Sequence, residues 1–223
     1  MSQAKEKQDN SMSSKKKIAI FGGSFDPVHS GHIKMLLQIQ KLHDFDEIVF
    51  IPTYSLNSSK KIVATPEQRI RMLEISLKNY NFKIDLREIK REGISYTVDT
   101  LISFREELPD SNLVLILGSD TFLNLPKWKN HDQILKLCNI IVLKRNGHTF
   151  DDLISKSPKF LSIKLTKDAT IFDSGIYGNI LYDDSTEIEV SSSRIREILK
   201  NGQSIDGLID KGLQQWLSLN KIY

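Results

Sequence analysis

Two histidines, His29 and His32, stand three residues apart, shortly after the apolar segment 18–21 and a pair of glycines. The glycines, Gly22 and Gly23, let the backbone approach a ligand that a Cβ atom would exclude, which suits a phosphate. The imidazoles would lie at the start of the next helix, where unpaired N–H groups and the macrodipole favour anions. A His-x-x-His pair alone also occurs on ordinary surface turns, and no nearby third ligand supports zinc. In this setting the pair predicts hydrogen bonds to phosphate oxygens and stabilisation of transferred charge.

A second anion-binding pattern lies near the other end of the sequence, where three serines, 191–193, precede a helical segment. We expect Ser193 to cap that helix, and Arg196, one turn further on, to reach back over its N-terminus to an anion. A serine run before a helix is by itself only a cap. Two such patterns at opposite ends of one chain indicate a single shared site for a polyanion.

Short apolar runs alternate with helical patterns along the chain, and this alternation is typical of βαβ units around a parallel sheet. The last helical patterns predict a C-terminal helical element, whereas segment 148–187 yields no clear assignment. The sequence therefore predicts an α/β fold with a Rossmann-like, doubly wound, mostly parallel sheet and flanking helices. The predicted strands are 18–21, 48–51, 82–86, 113–117 and 140–143, and the predicted helices begin near 31, 65, 97, 191 and 210.

Composition limits the partners and the domain number. With 223 residues and 39% hydrophobic side chains, the chain can bury the core of one domain, predicted over 17–223. Five lysines against two acidic residues within 1–17 account for the whole net charge of +3, so the remainder is neutral. We therefore expect a disordered leader over 1–16 and neither a nucleic-acid nor a membrane partner.

Cysteine usage and hydropathy point to the cytoplasm as the compartment. Cys138 is the single cysteine, so there is no disulfide framework and no zinc ligand set. The sequence has neither an apolar run of membrane-spanning length nor an N-terminal apolar segment typical of a secretory signal.

Two nucleotide-binding signatures are missing. There is no G-x-x-x-x-G-K-[ST] loop, and no G-x-G-x-x-G followed by an acidic residue about twenty positions on. A P-loop enzyme and an ordinary dinucleotide-dependent oxidoreductase are both disfavoured.

The motif G-G-S-F-D-P-V-H-S-G-H, residues 22–32, resembles the signature of the nucleotidyltransferase superfamily with the [HT]-x-G-H motif. Residues 190–196, V-S-S-S-R-I-R, resemble the late I-S-S-[ST]-x-[IV]-[RK] element of that superfamily, which holds ATP phosphates. The resemblance implies catalytic roles for His29, His32 and Arg196. The ATP-binding residues that we predict from it are Gly22, Gly23, Ser24, Phe25, Asp26, Gly31, Gly118, Asp120, Ser192, Ser193 and Arg196.

Segments 95–101, 118–128 and 51–73 resemble bacterial nicotinate-nucleotide adenylyltransferases more than other members of the superfamily. The resemblance implies that Tyr96, Thr97 and Trp128 contact nicotinate mononucleotide. An indole can stack on a pyridinium ring, and a hydroxyl with backbone N–H groups can receive a carboxylate. Where that family usually has Pro-Pro-His followed by a basic residue, this chain has L-N-S-S-K-K, so we assign Lys60, with Lys61 as the alternative, to the missing basic group.

The resemblance implies transfer of the adenylyl group of ATP to nicotinate mononucleotide, with Mg²⁺ bound mainly through phosphates rather than protein ligands. Asp26 and Asp120 are the acidic candidates at the site. We expect Asp120 to bind a sugar or order the site, and Asp26 to act through the metal or the turn. No general base is needed, because the attacking phosphate is already ionised.

The sequence leaves some alternatives open. The acceptor could be nicotinamide mononucleotide or phosphopantetheine, and a non-catalytic nucleotide-binding module is a further reading. The oligomeric state, including a homodimer, is also undetermined.

Overall fold

The structure is a computed structural model that describes residues 15–57, 61–170, 177–188 and 190–223. Lys60 and residues 1–14 of the predicted leader lie outside the described residues. Within the described part, seven parallel strands form one sheet in the order β3-β2-β1-β4-β5-β7-β6. The strands are β1 Lys17–Gly23, β2 Glu47–Pro52, β3 Lys83–Ile84, β4 Asn112–Gly118, β5 Asn139–Arg145, β6 Leu165–Thr166 and β7 Ile180–Ile188.

The strand order reverses direction beside β1. The chain builds outward from β1 to β2 and β3, then returns to place β4 on the other side of β1. In open α/β sheets the crevice outside the carboxyl ends of the strands at such a switch point is where ligands bind. Here Gly22 and Gly23 end β1 and Gly118 ends β4, so this crevice is bordered by glycine on both sides.

Helices cover both faces of the sheet, as a parallel sheet requires. The helices are α1 Ser30–His43, α2 Pro66–Leu77, α3 Arg87–Arg91, α4 Thr97–Glu107, α5 Ser119–Phe122, α6 His131–Leu137, α7 Phe150–Lys156, α8 Lys159–Ser162, α9 Ser192–Lys200 and α10 Lys211–Asn220. Ala19 and Phe21 of β1 pack into one apolar cluster with α1, α2, α9 and α10, whereas Ile18 and Ile20 pack into the other with α4, α6, α7 and α8. A short 3₁₀ helix spans Leu125–Lys127. The predicted Rossmann-like α/β fold is confirmed, including the C-terminal helices.

The start of α2 follows its local sequence signal. Thr65 accepts the N–H of Gln68, the Gln68 side chain accepts the N–H of Thr65, and Pro66 occupies the first helical position. This reciprocal pairing satisfies two N–H groups that the helix itself cannot.

The predicted third strand over 82–86 is wrong in extent, because only Lys83–Ile84 pair with β2. The Asp85 carboxylate accepts the N–H of Arg87 at 2.8 Å, which favours a helical turn, and α3 begins there. The alternating apolar residues 82, 84 and 86 therefore extend past the strand to Leu86, which is the N-cap of α3.

Segment 148–187, which the sequence left unassigned, contains α7, α8, β6 and most of β7. β7 lies between β5 and the two-residue edge strand β6. Its apolar pattern is interrupted by Asp183, Asp184 and Ser185, so the sequence pattern does not indicate a buried strand here. Asp183 is nevertheless buried, because His43 of α1 lies against it, with 3.4 Å between Nε2 and Oδ2.

Among the residues that the structure describes, no helix has the length and apolar character needed to cross a membrane.

Candidate active site

A cavity of about 260 Å³ opens at the switch point between β1 and β4. Its walls come from the β1–α1 turn, the end of β4, the start of α5, the end of β5 and the start of α9. The predicted residues that line it are Gly22, Gly23, Ser24, Phe25, His29, His32, Gly118, Asp120, Ser192 and Ser193. The two predicted anion-binding patterns, one near each end of the sequence, therefore border one cavity.

A second cavity, of about 640 Å³, adjoins the first on the side of β2 and α4. It is lined by Tyr96, Thr97 and Trp128, the three predicted acceptor-binding residues within the described chain. The two cavities share the residues Gly22, Gly23, Ser24, Leu117, Asp120 and Thr121. A ligand in one cavity would therefore meet a ligand in the other over the glycine turn.

The two imidazoles at the start of α1 cap the helix, because each ring accepts the backbone N–H of the other histidine. His29 Nδ1 accepts the N–H of His32, and His32 Nδ1 accepts the N–H of His29, both at 3.3 Å. The rings stack with centroids 3.6 Å apart, and His29 is only 2% exposed. A neutral imidazole that accepts through Nδ1 carries its proton on Nε2, so each neutral ring has an Nε2–H donor.

The turn that precedes α1 holds an unusual backbone conformation. Phe25 has φ of 48°, a left-handed conformation that costs a non-glycine residue about 1–2 kcal/mol. Its buried ring packs edge-on against the His32 ring, with centroids 5.4 Å apart. A Cβ atom on Gly23 would lie 3.1 Å from the Phe25 ring. The strained turn, the glycine and the imidazole position therefore depend on one another.

The start of α9 corrects one prediction. Ser191, not Ser193, is the N-cap, because its hydroxyl accepts the N–H of Arg194. Ser192 is buried and donates to the carbonyl of Pro27 at 2.9 Å, which ties α9 to the β1–α1 turn. The first two residues of α9 are therefore Ser192 and Ser193, and both line the first cavity.

Arg196 contacts the same turn but does not line the first cavity. Its guanidinium donates to the Asp26 carbonyl and lies 3.4 Å from the Asp26 carboxylate and from Ser193 Oγ. Its expected contact with phosphate stays a prediction, and so does the role of Gly31, which lies in α1.

Asp26 is buried behind the turn rather than in a cavity wall. It is 1% exposed, and its carboxylate accepts the N–H groups of Val63 and Ala64 and the hydroxyl of Tyr223 at 2.7 Å. Burial raises the pKa of Tyr223, and the Asp26 carboxylate raises it further, which keeps this hydroxyl a donor. Of the two roles considered for Asp26, these contacts match the one that orders the turn.

Asp120 and Arg145 lie together where the cavities meet the end of β5. Arg145 Nη1 is 3.6 Å from Asp120 Oδ2, while the buried Asp120 Oδ1 has no hydrogen-bond partner among the described residues. A Cβ atom on Gly118 would lie 2.7 Å from that oxygen. Sequence reasoning missed Arg145 and Thr121, although a basic residue at the end of a central strand was the signal available for Arg145.

The acceptor side of the site is built on the start of α4. Tyr96 is the N-cap of this helix, which has no side-chain cap, so its N-terminus is open toward the second cavity. Lys129 binds Asp99 at 3.1 Å and lies 4.6 Å above the Tyr96 ring. Aromatic, cationic and helix-terminal groups thus surround one pocket.

The chemistry of Asp120 fits a contact with Mg²⁺. No three His, Cys, Asp or Glu side chains cluster as a metal site within 15–57, 61–170, 177–188 and 190–223. The Asp120 oxygen that has no hydrogen-bond partner fits a hydrated cation or a sugar hydroxyl. Mg²⁺ commonly binds through one or two carboxylates together with substrate phosphates and water, so the residues present fit that mode.

Comparison with known proteins defines the class first. A family model described as cytidylyltransferase-like matches residues 20–198, which include both anion-binding patterns. The chain belongs to this family, and it is therefore a nucleotidyltransferase.

The relatives narrow the class to one family. A protein of Legionella pneumophila (strain Paris) named a probable nicotinate-nucleotide adenylyltransferase is 39% identical over 208 residues, covering 92% of this chain and 98% of that one. Another of that name, from Clostridium acetobutylicum, is 34% identical and covers 93% and 99%. The fold matches Plasmodium falciparum nicotinic acid mononucleotide adenylyltransferase complexed with NaAD, with a TM-score of 0.71, 21% identity and coverage of 93% and 97%. The chain is a member of the nicotinate-nucleotide adenylyltransferase family.

Proposed function

We propose that this chain transfers the adenylyl group of ATP to nicotinate mononucleotide, forming nicotinate adenine dinucleotide and pyrophosphate in NAD biosynthesis. The observation that carries the proposal is the pair of adjoining cavities that share the glycine turn and Asp120. Two ligands bound there would meet end to end. The names of the relatives supply the acceptor.

The reaction is an in-line displacement at phosphorus. An ionised oxygen of the mononucleotide 5′-phosphate attacks the α-phosphorus of ATP, a new P–O bond forms, and the bond to the leaving pyrophosphate breaks. No proton has to be removed from the nucleophile and no covalent enzyme intermediate forms. Catalysis then depends on alignment of two anions and on stabilisation of the charge that develops during transfer.

The first cavity supplies that stabilisation. The N-termini of α1 and α9 both open toward it, and helix N-termini favour phosphate through their N–H groups and macrodipole. We assign the Nε2–H groups of His29 and His32 to phosphate oxygens, His29 near the α-phosphate. Arg196 is assigned to the phosphates from its place beside Ser193.

The second cavity receives the acceptor. Trp128 and Tyr96 offer aromatic faces to a pyridinium ring, and the uncapped N-terminus of α4 offers N–H groups to the nicotinate carboxylate. We assign Lys60, with Lys61 as the alternative, to the basic contact with the substrates.

Mg²⁺ would bind together with ATP and would be held mainly by the ATP phosphates. Asp120 is the protein side chain whose carboxylate suits a magnesium ligand. The ion would neutralise charge on the departing pyrophosphate. We place the reaction in the cytoplasm, on the strength of the cysteine usage.

The test compares three acceptors with the purified protein and Mg²⁺-ATP, following pyrophosphate release. Nicotinate mononucleotide, nicotinamide mononucleotide and phosphopantetheine are supplied separately, and the dinucleotide product is identified by mass. We expect the highest kcat/KM with nicotinate mononucleotide. Preferred turnover of phosphopantetheine, or no pyrophosphate with any acceptor, would contradict the proposal.

A further inference from the structure

Glu88 is a buried carboxyl group in the second cavity that the proposed chemistry does not use. It lies in α3, is 6% exposed, and lines the cavity beside the start of α4. Glutamate is rarely buried to this extent unless it is paired. Burial raises the pKa of its carboxyl group, which a hydrogen bond from the Thr100 hydroxyl opposes.

The hydroxyl group that binds Glu88 comes from the first turn of α4. Thr100 Oγ1 donates to Glu88 Oε1 at 2.6 Å. Thr100 lies one turn into the helix, and Ser95, which lines the same cavity, immediately precedes the N-cap Tyr96. Glu88 therefore holds the first turn of α4 through Thr100.

The Thr100 bond determines where its hydroxyl hydrogen points. Thr100 Oγ1 accepts from Arg91 at 3.0 Å. A threonine hydroxyl has one hydrogen to donate. Since the oxygen accepts a bond from Arg91, its single hydrogen is directed to Glu88.

The consequence concerns the group that the start of α4 binds. With the Thr100 hydroxyl hydrogen directed to Glu88, the backbone N–H groups at the uncapped end of the helix are the donors that face an acceptor base. A carboxylate accepts hydrogen bonds through both oxygens, whereas an amide presents an NH₂ donor on one side. A site made of donors discriminates against a ligand that itself brings a donor.

We propose that Glu88 is a positioning residue that holds the first turn of α4 so that it selects the carboxylate of nicotinate mononucleotide over the amide of nicotinamide mononucleotide. The inference rests on the proposed function and deepens it, because it assigns acceptor selectivity to a residue that does not touch the reacting atoms. Glu88 acts through Thr100.

The test measures kcat and KM for ATP and for both mononucleotides in E88A, E88Q and T100V. E88A should raise KM for nicotinate mononucleotide about tenfold, as loss of one hydrogen bond to a charged group predicts, with KM for ATP within about twofold of wild type. The ratio of kcat/KM for nicotinate over nicotinamide mononucleotide should fall by about the same factor. E88Q, which keeps one acceptor oxygen, and T100V, which keeps the side-chain shape, should change both quantities in the same direction but less.

Glu92→Gln is the matched control, because Glu92 follows the same short helix and is exposed. It should leave every constant at the wild-type value. A purely structural role would raise both KM values and lower Tm together, without changing the selectivity ratio, and that result would overturn the inference. Unchanged selectivity in both E88Q and T100V would also overturn it. A wild-type protein that uses neither mononucleotide would overturn the proposed function itself. An active wild type whose variants all keep the wild-type selectivity would overturn only the role of Glu88.

Discussion

His29 and His32 are structural residues as well as candidate phosphate ligands. Each imidazole accepts the backbone N–H of the other residue, so together they form the capping box of α1. Capping by a side chain contributes about 1 kcal/mol to a helix. A variant that removes one ring therefore also removes a cap, and an experiment on catalysis has to separate the two effects.

The pair His29→Asn and His29→Ala makes that separation. Asparagine is a good N-cap and can accept the N–H of His32, whereas alanine cannot. If the imidazole stabilises transferred charge, both variants should lose roughly 10²-fold or more in kcat, and only the alanine variant should lose about 1 kcal/mol of stability. Steady-state turnover and denaturant unfolding measure the two quantities.

His131→Asn serves as the matched control, since His131 begins α6 outside both cavities. Wild-type turnover in His29→Asn would show that the cap alone matters and would remove the assigned role.

Gly22 and Gly23 are adjacent but differ in what a side chain would meet. A Cβ atom on Gly22 has no atom within 4 Å, while one on Gly23 would press on the Phe25 ring. Since Gly22 lines both cavities, its added methyl group would project into ligand space.

Gly22→Ala should therefore keep the wild-type Tm and lose about tenfold or more in kcat/KM, because small displacements of bound reactants are costly to the rate. Gly23→Ala should lose both stability and activity. Thermal unfolding and steady-state kinetics compare the two variants, and an unchanged kcat/KM in Gly22→Ala would mean that no ligand approaches that backbone.

At the scale of elements, the segment that joins β2 to α2 is attached to the β1–α1 turn by one buried guanidinium. Arg69 of α2 donates to the carbonyl groups of Ser24 at 2.9 Å and of Tyr54 and Ala64 at 3.3 Å. Burial lowers the pKa of Arg69, and the nearby Asp26 carboxylate opposes that shift. Three backbone carbonyl groups thus depend on one planar donor group, and one of them belongs to Ser24, which lines both cavities.

Arg69→Met should destabilise the protein by about 3 kcal/mol or more, because it leaves three backbone carbonyl groups without their donor and removes a positive charge near the Asp26 carboxylate. Arg71→Met, on the exposed face of the same helix, is the control and should change stability by less than about 0.5 kcal/mol. Urea unfolding compares the two variants. Equal stability of both would show that the Arg69 contacts contribute little.

At the scale of the whole molecule, a buried His–Asp pair joins the end of α1 to β7. His43 Nε2 lies 3.4 Å from Asp183 Oδ2, and Ser185 donates to Asp183 through its N–H and its hydroxyl. Burial by itself raises the pKa of Asp183, but the hydrogen bonds from His43 and Ser185 outweigh burial, so the pKa is lowered. The contact links the C-terminal end of α1 to β7.

A lowered folded-state pKa makes stability depend on acid. The stabilisation is fully present above the unfolded pKa of about 4 and is lost as the pH falls through the folded pKa. The difference in unfolding free energy between wild type and Asp183→Asn should therefore be large at pH 7 and shrink below about pH 4. Asp184→Asn, at an exposed position, should show no such dependence, and a difference that stays constant down to pH 3 would contradict the assignment.

The sequence by itself determined the features that depend on neighbours along the chain. The Thr65-Pro66-Gln68 helix start, the Gly22-Gly23 turn and the central strands all follow from residues within a few positions of each other. The nucleotidyltransferase class also followed, because its two motifs are short and continuous. Hydrogen bonding and side-chain periodicity over such distances are set by local backbone geometry.

Only the tertiary structure decided which distant residues share an environment. Asp26 was expected to act through the metal or the turn, and the structure adds that its partners include Tyr223, far along the chain, and that it is buried behind the turn. The fold places Arg145 in the wall of the first cavity and Glu88 in the wall of the second. It also pairs β7 with a strand on each side, despite the polar residues of β7. Whether a polar group is buried and hydrogen-bonded depends on the residues that the fold places next to it. These residues are distant in the sequence, so the spacing of residues along the chain does not predict them.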